Sequence, residues 1–477
     1  MDIQSFQSFP HRTYTCWSYF AYWATAGICV TSWSLVSSII GIGLSAGEPC
    51  DAVLVGSFFA ALLGFMAGQC GRHHYLGFMM MSRAAFGLWG SYFSITICVF
   101  ESLIFFGIQA YYGGQAVVVV LNAIFPQFLR LKNTLPKSAG ITTQALLGFL
   151  IYFSSSPCTG SKKNNDPGEL VKPSVSLAKV DRIFAMLASI SSVAGAYTGG
   201  SVRVSDWTRY RKTMNAPVVP LITTMPVTIT IGVLVGILVT SAGNSMYGEI
   251  IWIPLLLLQR LQETQYTAAC RTGTFFAGLG LLSSQVFVNV TQNGFQQGMD
   301  IAAFLPRYFD IKRGAILVCI IGIVIQPWRF LSQAATFLPV LNSFGVFIAP
   351  MTGILCTDYW IVRRQRLIVA DLYQPHGVYW FTFGINWRAM LAFCLGFWPS
   401  MPGFICAFTG DPVAEGWARI YQLTYFVGLM LGGGLYYVIC KVWPMPGARE
   451  NVLLNDETIE DVSDGASASL EAGETLL

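Results

Sequence analysis

The stretch SYFSITICVFESLIFFGIQAYYGGQAVVVVLNAIF, residues 91–125, contains a single charged side chain in 35 positions. An α-helix needs about 20 predominantly apolar residues to cross the roughly 30 Å hydrocarbon core of a bilayer. This stretch is long enough to cross, so we predict a transmembrane helix here. Its one charged residue, Glu101, lies well inside that helix, where an ionisable group is costly and is expected to serve a function.

The rest of the chain follows the same pattern. Of its 477 residues, 54% are hydrophobic and 11% are charged, and the mean hydropathy is +0.56. Soluble domains carry about 25% charged residues. Further spans are predicted at 17–46, 51–70, 183–203, 217–241, 272–296, 314–330, 334–361, 387–408 and 421–443, with a weaker one at 141–157. The sequence therefore predicts an all-α, multi-pass membrane domain over 17–447, after a cytoplasmic N-terminus at 1–16.

Charged residues are concentrated outside the spans. Basic residues cluster at 72–83, 209–212, 307–313 and 363–366, and the positive-inside rule places such short segments in the cytoplasm. The same distribution argues against a nucleic-acid surface. Residues 448–477 are acidic, poor in aromatics and rich in Ser, Gly and Ala, which predicts a disordered tail.

Catalytic and metal chemistry are not indicated. The 12 cysteines are scattered without metal-ligand spacing, and the chain has four histidines, of which His73 and His74 lie in a basic loop without a nearby carboxylate cluster. The string GLSAG at 43–47 matches a nucleophile-elbow pattern, but it ends an apolar helix. We therefore expect no enzyme, no cofactor and no metal site.

Polar residues inside the spans carry more information. Glu101, Phe105 and Gln109 recur every four residues and share one helix face. A planar ring could stack on Phe105 while Gln109 hydrogen-bonds its edge. Asn289 and Asn293 repeat the spacing in a later span and would present a second amide face to the same cavity. The alternative is that these amides only join helices to one another.

The segment AGAYTGGS, residues 194–201, places three glycines in mid-membrane. Unwound backbone is tolerated there only where it lines a cavity or is buried in protein, and broken helices often build the binding sites of transporters. We therefore predict an unwound element of the site, with Tyr197 in it. The alternative is close helix packing through small residues.

Several long motifs show a family resemblance that extends from Arg12 to Gly447. They are FFGIQAYYGGQ from Phe105, NTLPKSAGITT from Asn133, SDWTRY from Ser205, LPRYFDIKRGA from Leu305, GINWRA from Gly384, and IYQLTYFVG from Ile420 leading to KVWPMPG. The chain resembles the nucleobase–cation symporter family 1. The resemblance is to the fungal branch of uracil, uridine and allantoin permeases, near the thiamine and nicotinamide riboside carriers.

The resemblance implies a five-plus-five inverted-repeat bundle of the LeuT type with two extra C-terminal helices. It implies alternating access in the plasma membrane for a small planar nitrogenous solute, with a homo-oligomer as one option. The family's ring-stacking tryptophan corresponds to Phe105 and its glutamine to Gln109. Its substrate-binding asparagine corresponds to Asn293 and its sixth-span aromatic to Tyr197. The change from Trp to Phe reduces the stacking area and removes an indole donor, so the substrate itself is not carried over.

The resemblance also bears on the coupling ion. Sodium-coupled bacterial relatives have hydroxyl residues at positions that match Phe287 and Val288. A hard cation prefers oxygen ligands, so a proton is the expected coupling ion.

Two rare charges stand near the predicted site. The family commonly has asparagine where Arg203 stands and an apolar residue at Glu101. Two unusual opposite charges at similar depth predict an intramembrane ion pair, since an isolated charge is costly. The alternative is that Arg203 snorkels to the interface and Glu101 is neutral. Asp206, in the SDWTRY motif, is a third candidate for coupling or gating.

One interval departs from the family pattern. The polar insert at 158–182 stands where a fifth span is expected, and it cannot cross a membrane. With ten remaining spans, the basic loops keep their cytoplasmic side only if 141–157 does not complete a normal crossing. The sequence leaves two alternatives to a carrier open: a sensor that binds without transporting, or an inactive product of a truncated or mis-spliced gene.

Overall fold

The structure is a computed structural model that describes residues 12–41, 44, 47–154, 179–329, 331, 334–375 and 377–445. The predicted tail at 448–477, nearly all of the 158–182 insert and most of the 1–16 segment lie outside the described residues. Within them the regular structure is helical, and β-pairing is limited to two isolated bridges, Tyr14 with Arg211 and Thr382 with Ile385.

Among the described residues, the first half of the chain forms ten α-helices. They are α1 (Cys16–Gly27), α2 (Val30–Gly41), α3 (Glu48–His74), α4 (Phe78–Phe86), α5 (Gly90–Ile124), α6 (Pro126–Leu129), α7 (Thr143–Ser154), α8 (Lys179–Val202), α9 (Ser205–Thr208) and α10 (Val218–Tyr247).

The second half forms nine more, with two π-helical segments. They are α11 (Pro254–Thr264), α12 (Ala268–Val288), the π segment Asn289–Phe295, α13 (Gln296–Phe304), α14 (Ile311–Val324), α15 (Ala334–Thr357), the π segment Asp358–Val362, α16 (Trp387–Phe397), α17 (Met401–Thr409), α18 (Glu415–Gln422) and α19 (Thr424–Val442).

The helical bundle agrees with the predicted membrane protein. Among the described residues, eight helices are long and apolar enough to cross a bilayer, and nine if the bent pair α1–α2 is counted as one span. The most buried of these spans is Phe337–Val362, in which 83% of the most apolar stretch is buried inside the protein. This span forms the centre of the bundle, and α8 and α19 pack along it.

The helix α7 covers the weakly predicted span at 141–157. It has 12 residues, which at 1.5 Å per residue gives a length of about 18 Å. That is well short of the roughly 30 Å hydrocarbon core. Because residues 155–178 lie outside the described part of the chain, the missing fifth span stays a prediction.

The prediction of an unwound segment at 194–201 is wrong. Helix α8 runs without interruption through these residues. The glycines serve close packing instead: a Cβ on Gly195 would lie 3.2 Å from the backbone nitrogen of Gly345 on α15, and one on Gly199 would clash with the carboxyl group of Glu101 on α5. The same small residues can thus allow unwinding or close approach, and here they allow close approach.

Two of the places where the backbone is irregular lie beside the middle of the bundle. The first predicted span, 17–46, is broken between Gly27 and Val30, where α1 and α2 meet at 42°. The carbonyl of Ile28, at the break, accepts a hydrogen bond from Ser284 Oγ at 2.5 Å. The second place is the π segment Asn289–Phe295, which interrupts the predicted span at 272–296.

The first, second and fourth basic segments meet at one end of the bundle, as expected for a common cytoplasmic side. Arg211 Nε donates to the carbonyl of Arg72 at 2.6 Å, and Arg72 Nε donates to the carbonyl of Met214 at 2.8 Å. The His74 ring lies 2.8 Å from the carbonyl of Gln365. The positive-inside rule predicts that this end faces the cytoplasm, and it is called the cytoplasmic end below.

Candidate functional site

A cavity of about 60 Å³ lies in the middle of the bundle. Its walls come from both sides of the α1–α2 break, from one face of α5, from α8, and from the junction of α12 with its π segment. The lining residues are Trp23, Ala26, Cys29, Thr31, Glu101, Ser102, Phe105, Gln109, Ala196, Tyr197, Gly200, Arg203, Val288, Gln292 and Asn293. The cavity therefore lies where the backbone is least regular and where sequence reasoning expected a site.

The α5 face projects its predicted residues into this cavity. Phe105 lines it and packs on Phe344 with ring centroids 4.9 Å apart. Gln109 is 4% exposed, and its Oε1 accepts no hydrogen bond from the described part of the chain. Tyr197 faces them from α8, with its hydroxyl 2.8 Å from Ser32 Oγ. A buried amide oxygen without a partner is costly, so Gln109 Oε1 is available to accept a hydrogen bond from a molecule in the cavity.

The two asparagines take different positions. Asn293 lines the cavity and donates from Nδ2 to Asn289 Oδ1 at 2.9 Å. Asn289 is not among the lining residues, contrary to the expectation of two amides facing the cavity. Its own Nδ2 donates to the carbonyl of Phe106 at 3.3 Å and lies 3.5 Å from the hydroxyl of Tyr152. Asn289 therefore lies outside the cavity wall and orients the Asn293 side chain through this hydrogen bond.

Below Phe105, toward the cytoplasm, lies a buried ion cluster. The predicted pair is present: Arg203 Nη2 lies 3.3 Å from Glu101 Oε2. Arg203 Nη1 also donates to Asp300 Oδ2 at 2.9 Å, Nη2 donates to Ser102 Oγ at 2.7 Å, and Nε donates to the carbonyl of Gly199 at 2.7 Å. Arg203 therefore does not snorkel to the interface; its planar fork joins α5, α8 and α13.

Asp300 is the residue that the sequence reasoning missed. It lies four residues beyond the predicted span at 272–296, where acidic residues are usually solvated. A signal was available, because Asn289, Asn293, Gln296 and Asp300 recur at intervals of four and three and mark one polar face through the membrane. That face runs from the cavity down to the ion cluster.

Asp206 lies apart from the cavity, on its cytoplasmic side. Its Oδ1 accepts from the backbone nitrogen of Phe78 at the start of α4, at 2.9 Å, and its Oδ2 accepts from Gln296 Nε2 at 2.8 Å. Gln296 Oε1 in turn accepts from the indole nitrogen of Trp207. Asp206 thus joins α4 to α9 and α13, and its role in coupling or gating stays a prediction.

Aromatic side chains cluster on the cytoplasmic side of the cavity. Trp207 packs against Tyr22 and Phe295, with ring centroids 4.7 and 5.7 Å apart, and against Tyr14 at 6.1 Å. The backbone nitrogen of Tyr14 donates to the carbonyl of Tyr210 at 3.0 Å. Burial, and secondarily the neighbouring Tyr210, raises the pKa of Tyr14, so its phenol stays neutral. These rings form an aromatic layer between the cavity and the end of the bundle that holds the basic segments.

A central cavity with aromatic and amide walls and irregular backbone on two sides is suited to binding a small solute in mid-membrane. It offers no nucleophile paired with a base. The fold and the site together define a multi-pass membrane transporter.

Comparison with known proteins places the chain within that class. It belongs to the family described as permeases for cytosine/purines, uracil, thiamine and allantoin, which matches residues 10–154 and 159–428. It is 31% identical to an uncharacterized permease of Schizosaccharomyces pombe, over 98% of this chain and 83% of the relative. It is 29% identical to a thiamine transporter of Saccharomyces cerevisiae, over 93% and 79%.

The fold is likewise shared with a solved structure. Mhp1, a nucleobase-cation-symport-1 family transporter in a closed conformation with bromovinylhydantoin bound, superposes with a TM-score of 0.63 at 18% identity, over 91% of this chain and 94% of Mhp1. The resemblance stated from the motifs is therefore confirmed, and so is the LeuT-like class of the bundle.

Proposed function

We propose that the protein is a proton-coupled symporter of the plasma membrane that takes up a small planar nitrogenous solute. The solute classes are a nucleobase, a nucleoside, an allantoin-like ureide or a related vitamin. The observation that carries the proposal is the buried Oε1 of Gln109, which has no hydrogen-bond partner among the described residues, in a cavity that the rings of Phe105 and Tyr197 also line. An aromatic face beside an unmet acceptor fits a flat ring with N–H groups on its edge.

The asparagine side of the cavity complements this arrangement. Asn293 Nδ2 is directed to Asn289, which leaves its Oδ1 as a second acceptor for the solute. A heterocycle with two edge N–H groups could then be held from α5 and from the π segment at once. Such a solute would link two helices that the alternating-access cycle has to move together.

Support for proton coupling comes from what stands at the sodium-ligand positions of the bacterial relatives. Val288 is buried and apolar, and Phe287 is 47% exposed on the outside of α12. Neither side chain offers an oxygen to a hard cation. The ion cluster at Arg203, which holds two carboxylates for one guanidinium, offers a place for a proton instead.

The test is uptake in a yeast host that lacks its own permeases of this family. We expect saturable uptake of one member of a radiolabelled panel containing uracil, uridine, allantoin, thiamine and nicotinamide riboside, and loss of that uptake with a protonophore. Gln109→Ala and Asn293→Ala should abolish it at unchanged surface expression. Gln265→Ala, an exposed amide outside the cavity, is the matched control.

Each alternative predicts a different result. Solute binding without uptake would identify a sensor. Neither binding nor uptake of any panel member, with normal surface expression, would contradict the proposal. Uptake that survives Asn293→Ala with unchanged affinity would overturn the assignment of the site.

A further inference from the structure

The ion cluster carries an imbalance of charge. Glu101, Asp300 and Arg203 are 3%, 5% and 3% exposed, so the cluster is closed off from bulk water. With both carboxylates ionised, the three side chains have a net charge of −1 inside the membrane. An uncompensated buried charge is unfavourable by several kcal/mol, so the cluster is neutral only when it holds one proton.

The two carboxylates are not equivalent. Asp300 lies 2.9 Å from Arg203 and is not among the residues that line the cavity. Glu101 lies farther from Arg203, at 3.3 Å, and lines the cavity. Asp300, which is closer to the guanidinium and lies away from the cavity, therefore keeps its negative charge. Glu101, which lines the cavity, can exchange a proton with water there.

We infer that Glu101 carries the coupled proton and that Asp300 is the fixed counter-ion of Arg203. The inference rests on the proposed function and names the residue through which its proton coupling acts. A proton from external water binds the Glu101 carboxylate through the cavity, and it leaves to cytoplasmic water once that side opens. Because Glu101, Phe105 and Gln109 follow one another on the same face of α5, the proton and the solute occupy neighbouring positions.

The surroundings of Glu101 contain few other ionisable groups. Arg203 approaches from the end of α8 and Asp300 from α13. Cys98, one turn earlier on α5, and Asp206 on α9 lie within electrostatic range of the cluster, and Tyr22 on α1 lies within range of Arg203. Asp206 is engaged with Phe78 and Gln296, and within the cluster its electrostatic contact is with Asp300.

The first test does not require the solute. Difference infrared spectroscopy of the purified full chain in lipid, across a pH step through neutrality, should show a protonated buried carboxyl band. Glu101 is the one buried glutamate among the described residues, so carbon-13 glutamate should shift the band and carbon-13 aspartate should not. A band that shifts with labelled aspartate instead, or no band, would overturn the inference.

Variants sharpen this measurement. Glu101→Gln should remove the band. Asp300→Asn should also remove it although Glu101 is intact, because Arg203 then needs Glu101 as its ionised partner. Glu263→Gln, on an exposed carboxylate paired with Arg260, should leave the band unchanged. A band that persists in Asp300→Asn would contradict the division of roles.

The second test uses transport. Glu101→Gln should still exchange labelled solute across the membrane, but accumulation should fall to equilibration and the pH profile should become flat. Accumulation with the wild-type pH profile would overturn the inference. If the infrared results hold while no solute is taken up by the wild type, the proposed function fails and the assignment of the proton to Glu101 stands.

Discussion

Gly199 on α8 allows the ion cluster to be disturbed without altering any of its charged groups. A Cβ on this residue would lie within 3.0 Å of the Glu101 carboxyl group, whereas a Cβ on the next residue, Gly200, would meet nothing within 4 Å. To restore ordinary van der Waals contact, the carboxyl group must retreat by more than about 1 Å. The Arg203–Glu101 distance of 3.3 Å leaves a margin of only about 0.7 Å before ion-pair contact is lost.

The size of the effect follows from comparing Gly199→Ala with Gly200→Ala. Both substitutions replace a helical glycine, and each gains about 0.5–1 kcal/mol of helix stability. That gain cancels in the comparison. The remaining difference is the cost of overpacking, about 1–3 kcal/mol. We therefore expect Gly199→Ala to be the less stable of the two by that amount.

The assay is unfolding of the two purified variants side by side in the same detergent, by denaturant and by heat. The infrared carboxyl band provides an independent readout, since displacing Glu101 should change its frequency only in Gly199→Ala. Equal unfolding free energies together with identical bands would show that α8 does not press on Glu101, and the geometry of the cluster argued above would be refuted.

Three further predictions concern other parts of the chain. Asn289→Ala should raise the KM for uptake about 2- to 10-fold, the cost of one hydrogen bond, without the complete loss expected for Asn293→Ala; an unchanged KM in uptake assays would contradict its supporting role. Arg363→Met should lower the free energy of unfolding by about 3–5 kcal/mol because Asp358, 2.8 Å away and buried, loses its cation. Adding Asp358→Asn should restore part of this stability in denaturant unfolding, and a single variant as stable as the wild type would refute the prediction. A cysteine replacing Ser161 should react with an impermeant thiol reagent from outside the cell, while protection would reveal a hidden crossing.

The hydrophobic pattern predicted most of the fold. Continuous apolar runs over residues 91–125 and 217–241 correspond to α5 and α10 within a few residues, because the bilayer requires every backbone group to be satisfied within the helix. The pair of Glu101 and Arg203 was also predictable, since each charge would be costly alone. The apolar runs alone did not identify Asp300, because its signal lay in the polar face that it shares with Asn293 and Gln296 beyond the end of the predicted span.

The breaks in the helices were not predictable from glycine content. Residues 194–201 contain three glycines and remain helical, whereas the break after Gly27 follows one. A glycine permits close approach as readily as it permits unwinding, and the outcome depends on the neighbouring helix. Gly195 faces the backbone of α15 at close range. A regular helix satisfies the backbone N–H and C=O groups of α8 internally while the two helices are in this close contact. Nothing in the local sequence records that neighbour.

Packing around α8 shows why the ion cluster has a particular mechanical position. Helix α8 packs along α3 and α15, whereas α5 packs along α12 and α7, and contact between α5 and α8 themselves is brief. The Arg203 fork crosses this narrow contact to reach α5 and α13. Protonation of Glu101 replaces the ion pair across it by a weaker hydrogen bond from the guanidinium to an uncharged carboxyl group. Since the bond to Asp300 remains, α8 stays connected to α13 while its separation from α5 becomes less costly, as the proposed coupling of a proton to opening of the cytoplasmic side requires.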